Sequence, residues 1–264
     1  MIDPTTFEDV IYEKRRRAAW IIINRPSVHN AFRAQTIEEL ILAFKLAADD
    51  RAVSSVVLTG AGDKAFCTGG DQSAHDGQYD GRGVVGLPIE EFQSIIRDIP
   101  KPVIARVNGF AIGGGNVFAT LCDLTIAADT AVFGQVGPKV GSVDGGWGTA
   151  LLARHIGDKR AREMWYMNLR YTAQQAYEMG LVNKVAPAAE LDATVDAWTD
   201  TLAERSPTAL ALAKRSFNAD SESIRGISMM ALNAVKLFYD TEESKEGVRA
   251  FGEKRKPDFH AFVK

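Results

Sequence analysis

Apolar and polar residues alternate between two kinds of pattern along the first two thirds of the chain. Short β-branched or apolar runs predict strands, and runs with apolar residues at helical spacing predict amphipathic helices. The predicted strands cover residues 18–23, 55–59, 102–107 and 124–128, and the predicted helices cover 37–46 and 113–121. Strands that alternate with helices favour a parallel sheet with helices on its faces, so we expect an α/β fold.

After residue 150 the strand pattern stops and helical spacing dominates. The predicted helices cover residues 151–169, 173–179, 191–203, 207–218 and 224–238. We therefore expect a core over residues 1–200 and a helical C-terminal oligomerisation region over 201–264. Helices with little sheet to cover often pack on another subunit, so a homo-oligomer is expected.

Composition and charge exclude several classes of function. The 264 residues are 46% hydrophobic and carry a formal net charge of −3, which gives no electrostatic footprint for nucleic acid. No apolar run approaches the roughly 20 residues of a membrane span, and no cleavable signal pattern is present. Cys67 and Cys122 are expected to be buried free thiols. We expect a cytoplasmic protein with no nucleic-acid or membrane partner.

The most informative segment is FGQVGPKVGSVDGGWG, residues 133–148. Its glycines favour a close approach of backbone to another group. Its lone carboxylate, Asp144, with the hydroxyl of Ser142 nearby, suits proton transfer at a small substrate. A glycine-rich surface loop is the alternative, with Asp144 only capping a helix after Gly148.

Two glycine-rich turns follow predicted strands, at residues 65–72 and 109–115. Neither matches a P-loop or the dinucleotide-binding pattern G-x-G-x-x-G. Their backbone N–H groups could converge on one oxygen that gains negative charge. Close packing of helix on strand is the alternative use of these glycines.

Four motifs, AFCTGGDQ, KPVIARVNGFAIGGGN, CDLTIAAD and FGQVGPKVGSVDGGWG, stand in the same order as in the crotonase (enoyl-CoA hydratase/isomerase) superfamily. The resemblance implies a crotonase-like ββα spiral core with a C-terminal helical trimerisation region. It also implies an acyl-CoA thioester substrate, no tightly bound cofactor or metal, and a homotrimer or a dimer of trimers. By position, it places the oxyanion-hole N–H groups at Gly70 and Gly114.

Two departures from the family pattern bear on the reaction. The family's hydratases use two glutamates, which would fall at Val117 and Gly137 in this chain. Neither residue can transfer a proton, so hydration of an enoyl-CoA is not expected. Where the hydratases have proline in the following loop, this chain has Asp144.

With Ser142, Gln135, Trp165 and Tyr239, that aspartate resembles a narrower branch. The branch contains 2-ketocyclohexanecarboxyl-CoA hydrolase, which opens a ring to give pimeloyl-CoA. It also contains 1,4-dihydroxy-2-naphthoyl-CoA synthase, which closes one by Dieckmann-type condensation of o-succinylbenzoyl-CoA. The loop 73–83, with His75 and Tyr79, resembles the hydrolase, whereas residues 144–148 resemble the synthase. We expect the hydrolase, with the synthase as the alternative and a hydratase or isomerase as a weaker one.

The resemblance assigns roles residue by residue. Catalysis falls to Gly70, Gly114, Asp144, Ser142 and Tyr239. Substrate and CoA binding falls to His29, Ala65, Thr68, Gly69, Asp71, Gln72, Tyr79, Phe110, Ala111, Ile112, Gly113, Gln135, Gly137, Trp165 and Lys254. In the synthase a bicarbonate acts as base, and here Gln135, the Gly137 N–H and Trp165 would hold such an anion. Plain core packing is the alternative for Tyr239 and Trp165, and a mobile or ordinary surface loop for His75 and Tyr79.

Overall fold

The computed structural model describes residues 2–72 and 79–263, so His75 and most of its loop lie outside the described residues. Within these ranges the chain forms ten strands. They are β1 (Val10–Arg15), β2 (Ala18–Ile23), β3 (Ser55–Gly60), β4 (Ala65–Cys67), β5 (Val103–Val107), β6 (Phe110–Ile112), β7 (Leu124–Ala128), β8 (Val132–Gly134), β9 (Arg170–Thr172) and β10 (Lys184–Ala186).

The strands form two sheets, and the chain passes repeatedly from one to the other. The larger sheet has the order β1-β2-β3-β5-β7-β10, and the smaller has the order β4-β6-β8-β9. In the larger sheet only β1 is antiparallel to its neighbour, and in the smaller sheet only β9 is. The pairs β3–β4, β5–β6 and β7–β8 each place one strand in each sheet, which is the expected ββα spiral.

Ten α-helices surround these sheets in the described part of the chain. They are α1 (Ala34–Asp49), α2 (Ile89–Asp98), α3 (Gly114–Leu121), α4 (Leu152–Ile156), α5 (Asp158–Met167), α6 (Ala173–Glu178), α7 (Leu191–Ala203), α8 (Pro207–Ala219), α9 (Glu222–Tyr239) and α10 (Glu242–Gly252). The α/β class and the helical C-terminal part are therefore as predicted.

The core forms where buried strands meet amphipathic helices. Every residue of β2 and β3 is buried, as expected for strands of a sheet that is covered on both faces. Beneath the smaller sheet's loops, the ring of Phe118 packs 5.1 Å from that of Phe32 and 4.9 Å from that of Phe92. This aromatic cluster joins α2 and α3 to the segment before α1. Cys67 and Cys122 are buried and free, as predicted.

One predicted helix is wrong. Residues 151–169 do not form one helix, because Gly157 has φ +83° and separates α4 from α5, and Asn168 has φ +49° and ends α5. Both residues tolerate the left-handed region, which interrupts a helix without loss of the apolar spacing around it. The chain then forms β9 and later β10, so the prediction that strands stop after residue 150 is also wrong. Strands of three residues have too few positions to show a period of two.

Candidate active site

A cavity of about 670 Å³ opens where the loops after β4, β6 and β8 meet one face of α9. Neighbouring parallel strands end at the same edge of a sheet, so these three loops are brought together by the order of the smaller sheet. The cavity is lined by most of the predicted site residues: His29, Thr68, Gly69, Gly70, Asp71, Gln72, Tyr79, Phe110, Ile112, Gly113, Gly114, Gln135, Gly137, Ser142, Asp144, Trp165 and Tyr239.

Three predicted binding residues lie elsewhere. Ala65 and Ala111 are buried in β4 and β6, where they pair with neighbouring strands. Ala65 does contribute, with His29, to a smaller cavity of about 150 Å³. Lys254 is exposed beyond the end of α10 and lines neither cavity.

The two glycine-rich turns touch each other at the cavity. A Cβ built on Gly69 would lie 3.1 Å from the nitrogen of Gly114, so only glycine lets the turns approach this closely. Among the described residues, neither Gly70 nor Gly114 donates its backbone N–H to a hydrogen bond. The turns therefore present two unused N–H donors to one region of the cavity, at the beginning of α3, where the helix dipole favours negative charge.

The first turn is held from both sides by Phe32. The Phe32 N–H donates to the carbonyl of Gly69 at 2.9 Å, and the Asp71 N–H donates to the carbonyl of Phe32 at 2.8 Å. The Asp71 carboxylate accepts from Arg25 at 2.9 Å, and both side chains are largely buried. Arg25 also donates to the carbonyl of Ala31 at 2.5 Å. This ion pair fixes the backbone around Gly70, and a buried pair of this kind is costly to break.

Asp144 both stabilises the backbone that follows it and lines the cavity. Its Oδ1 accepts from the Gly148 N–H at 2.8 Å, in the first turn of the helical segment Trp147–Leu151. Asp144 therefore does bind a free N–H of that turn, as the capping alternative expects, although the N-cap position itself is Gly146. Its Oδ2 accepts from Gln93 Nε2 at 3.3 Å, and the side chain also lines the cavity. Burial raises the pKa of Asp144 to about 6, although both hydrogen bonds act to lower it. A carboxyl group with this pKa can take up and release a proton near neutral pH.

Ser142 and Tyr239 form a second polar pair in the cavity. Their hydroxyl groups are 2.8 Å apart, and Tyr239 stands on the last turn of α9. Burial raises the pKa of Tyr239, and the nearby Asp144 adds to that effect. The phenol therefore stays protonated and serves as a hydrogen-bond donor. The helical C-terminal part thus contributes directly to the cavity.

The geometry beside Gly137 agrees only partly with the expected anion site. Gln135 is buried, and its Nε2 has no hydrogen-bond partner among the described residues. The indole N–H of Trp165, however, donates to the carbonyl of Gly148 and is not available to an anion. A Cβ on Gly137 would lie 2.5 Å from the carbonyl oxygen of Ser142 and 2.8 Å from the Trp165 ring. The space on the Cβ side of Gly137 is therefore filled.

Val117, the other position at which a hydratase glutamate would fall, is fully buried in α3 and does not line the cavity. No carboxylate occupies either hydratase position. Among the described residues that line the cavity, the carboxylates are Asp71 and Asp144, and Asp71 is paired with Arg25.

Sequence reasoning missed Gln93, Arg25 and the apolar wall of the cavity. That wall consists of Val85, Leu87, Ile89, Leu232 and Val235. A signal for Gln93 does exist, because an amide stands on the buried face of α2 among apolar residues. A buried amide requires hydrogen-bond partners, so its position on that face indicates a polar partner on another element.

The model of the enoyl-CoA hydratase/isomerase family matches residues 13–261. An enoyl-CoA hydratase from Mycobacterium avium subsp. paratuberculosis is similar in structure, with a TM-score of 0.84 and 28% identity over 96% of this chain and 98% of that one. A carnitinyl-CoA hydratase from Mycobacterium avium has a TM-score of 0.83 and 30% identity over 96% and 98%. An enoyl-CoA hydratase/isomerase from Pseudoalteromonas atlantica has a TM-score of 0.86 and 25% identity over 96% and 100%.

Residues 2–72 and 79–263 contain neither a candidate membrane span nor a candidate metal-binding cluster. No helix there is long and apolar enough to cross a membrane. No group of three or more His, Cys, Asp or Glu side chains in those ranges is arranged to hold a metal ion.

Proposed function

The chain belongs to the enoyl-CoA hydratase/isomerase family, the crotonase superfamily of acyl-CoA enzymes, and from this membership we propose that it opens a ring by hydrolysis. The proposed substrate is a cyclic β-keto acyl-CoA such as 2-ketocyclohexanecarboxyl-CoA. The product is a dicarboxylic mono-CoA ester such as pimeloyl-CoA.

One observation carries the proposal: among the described residues that line the cavity, Asp144 is the carboxylate that is not held in an ion pair, and its pKa is about 6. The positions that carry the glutamates of a hydratase hold Val117, which is buried, and Gly137, which has no room for a side chain. The solved relatives named above are hydratases or hydratase/isomerases by name, whereas this chain has no carboxylate at the two positions where the family resemblance places the glutamates of a hydratase. One carboxylate base beside an oxyanion hole, as in the described part of this cavity, fits carbon–carbon cleavage better than hydration.

The proposed reaction begins at the ring ketone. Ionised Asp144 takes a proton from water while the water oxygen adds to the ketone carbon, which gives a tetrahedral alkoxide. The Ser142–Tyr239 pair donates a hydrogen bond to that oxygen. The apolar wall leaves the ring carbons out of water.

Collapse of the alkoxide breaks the bond between the former ketone carbon and the α-carbon. The bonding electron pair moves into the thioester as an enolate, whose oxygen accepts from the N–H groups of Gly70 and Gly114. Such a donor is worth about 3–4 kcal/mol of transition-state stabilisation. Protonated Asp144 then returns its proton to the α-carbon, so that one water is consumed and the base is regenerated.

One feature favours a second candidate, the 1,4-dihydroxy-2-naphthoyl-CoA synthase reaction. The Nε2 of Gln135 is buried and has no partner among the described residues, and Gln135 lines the cavity beside Gly137. An anion such as bicarbonate, the base of that synthase, would satisfy this donor. Because the Trp165 N–H already donates to the Gly148 carbonyl, such an anion would lack one of the three expected hydrogen-bond donors.

Incubation of the purified protein with 2-ketocyclohexanecarboxyl-CoA, followed by mass spectrometry of CoA esters, tests the proposal. We expect the mass to increase by one water, with loss of the product in the Asp144→Asn variant. Absence of turnover, together with bicarbonate-stimulated cyclisation of o-succinylbenzoyl-CoA, would replace it by the synthase. Hydration of crotonyl-CoA at a comparable rate would refute both.

A further inference from the structure

Gln93 places a buried amide directly against the Asp144 carboxyl group. The residue stands on α2 and is 1% exposed. Its Nε2 donates to Asp144 Oδ2 at 3.3 Å, whereas its Oε1 is buried and has no hydrogen-bond partner among the described residues. The Nε2 end of the amide is therefore hydrogen-bonded and the Oε1 end is not, which is unusual for a buried polar side chain.

The two ends of an amide have opposite hydrogen-bonding character. The NH2 group donates to a carboxylate, and the carbonyl oxygen accepts from the hydroxyl of a carboxylic acid. A half-turn of the terminal torsion exchanges the two ends within nearly the same volume. The NH2 group of Gln93 is thus the donor that the ionised Asp144 requires. Its Oε1, which has no partner among the described residues, is the acceptor that the protonated form requires.

We infer that Gln93 is a positioning residue that holds the Asp144 carboxyl group in both of its protonation states, with the amide turning over as the proton arrives and leaves. The inference rests on the proposed function in one respect, since both states occur in each proposed turnover. This explains why Oε1 has no partner in the structure: it accepts a hydrogen bond only when Asp144 carries its proton.

The other groups around Asp144 do not replace Gln93 in this role. From the same loop, the Gly148 N–H holds only Oδ1. From α9, the Tyr239 hydroxyl bonds to Ser142. From α2, Arg97 donates to the carbonyl of Asn218 and the hydroxyl of Ser221, and its guanidinium lies over the Trp147 ring.

An ion pair does not take over the role of Gln93 either. In the part of the chain that the structure describes, no cationic side chain forms an ion pair with Asp144. The side chain that contacts Oδ2 is therefore an uncharged amide, and this amide has one end that can follow the protonation of the acid.

The test compares Gln93→Met with the parent protein. Methionine keeps the length and approximate volume of glutamine but has neither end of the amide. The Phe92→Leu variant is the matched control, since Phe92 is fully buried on the same helix and its truncation loosens packing without touching the carboxyl group.

The main readout does not depend on turnover. The carboxylic acid stretch of Asp144 is followed by infrared difference spectroscopy as the pH is varied, and Asp144→Asn identifies the band. In Gln93→Met the carboxylate stretch at high pH and the carboxylic acid stretch at low pH should both shift, because each form loses its hydrogen bond to the amide. The titration midpoint should rise only by the amount by which the bond to the ionised form is the stronger of the two. The acid band should also move to a higher frequency, because the hydroxyl loses its acceptor.

The Phe92→Leu variant should lower the thermal midpoint but leave both the titration midpoint and the band frequency unchanged. An acid band or a carboxylate band that stays unchanged in Gln93→Met, or equal band shifts in Phe92→Leu, would overturn the inference. Failure of the ring-opening assay in the parent protein would instead overturn the proposed function, and the infrared titration would still decide the role of Gln93.

Discussion

At the scale of single residues, two features of the surroundings of Asp144 act on its pKa in opposite directions. As a cap it accepts from the Gly148 N–H, an interaction that favours the carboxylate. As a buried group it is desolvated, which favours the acid, and burial is the larger influence on its pKa. Because these opposing influences leave the pKa near 6, the same side chain can bind the Gly148 N–H and exchange a proton near neutral pH.

The first prediction concerns the pH dependence of activity. Because the proposed base must be ionised, kcat/KM should fall tenfold per pH unit below about 6, the pKa to which burial raises Asp144. Steady-state rates with the cyclic keto substrate, measured across that range, check this limb. A profile that stays level through pH 6 would show that another group acts as the base.

The second prediction concerns stability. The pKa of Asp144 is about 6 in the folded chain against 3.8 for the exposed side chain, so the folded state binds the proton more tightly. Stability therefore decreases as pH rises from about 4 to 6, and the ionised carboxylate costs on the order of 2–3 kcal/mol at neutral pH.

Asp144→Asn should relieve most of that cost, because an amide oxygen can still accept from the Gly148 N–H. We expect the free energy of unfolding in urea to rise by about 1–2 kcal/mol at neutral pH and to change little near pH 4. Activity should fall by roughly 10²–10⁴. A variant that is destabilised equally at both pH values would contradict this account.

At the scale of elements, three glycines of residues 133–148 are explained by the two helices that pack on them, α9 and α10. A Cβ on Gly145 would lie 2.5 Å from the Cβ of Ala231, and one on Gly146 would lie 2.7 Å from Ser228, both on α9. Gly141 lies against the backbone of Ser244 on α10, whose hydroxyl donates to the Gly141 carbonyl at 2.7 Å. At these three positions glycine is required because α9 and α10 lie directly against the loop.

The third prediction uses two helical glycines that differ only in their surroundings. Gly247 on α10 lies against the backbone of Val140 and Gly141, whereas Gly226 on α9 has nothing within 4 Å of its would-be Cβ. We expect Gly247→Ala to lower the free energy of unfolding by about 1–3 kcal/mol through overpacking. Gly226→Ala should raise it by about 0.5–1 kcal/mol through helix propensity.

Activity separates the two variants further. A displaced Gly141 moves Ser142 and Asp144, so Gly247→Ala should lower kcat, while Gly226→Ala should leave kcat unchanged. Urea denaturation and steady-state kinetics check both effects. Equal behaviour of the two variants would mean that the packing of α10 does not hold the catalytic loop.

At the scale of the whole molecule, α8 and α9 expose large apolar side chains. Phe217 is 79% exposed, Leu237 72% and Met230 69%. Met230 and Leu237 are seven positions apart and so lie on one side of α9, and exposed apolar side chains of this size indicate an interaction surface. We propose that a second copy of the chain covers them, in the homotrimer or dimer of trimers that the family resemblance implies.

The fourth prediction tests that surface. Light scattering coupled to size-exclusion chromatography should give three or six times the mass of 28.7 kDa. The double variant Phe217→Glu with Leu237→Glu should lower this mass, because charges at the centre of an apolar contact are desolvated without partners. Ile11→Glu on β1, which is also exposed, is the control and should keep the parent mass. A monomeric parent protein would refute the assembly.

Much of the architecture was determined by the sequence alone. Strands such as β2 and β3 follow from unbroken apolar runs, and the glycines at 69–70 and 113–115 indicate turns where no side chain fits. The residues at Val117 and Gly137 already argued against hydration. The inferences about strands and turns succeed because burial and backbone conformation leave a local record in the residue types. The inference against hydration stays a prediction.

Only the tertiary structure decided which side chains meet. Gln93 reaches Asp144 across 51 positions, and Tyr239 reaches Ser142 across 97. Such contacts depend on the order of strands in the smaller sheet and on how α2 and α9 pack around it, neither of which leaves a local pattern. The same holds for the Trp165 N–H, whose use by the Gly148 carbonyl follows from the packing of α5. The sequence thus determined which groups are present, and packing decided which of them act together.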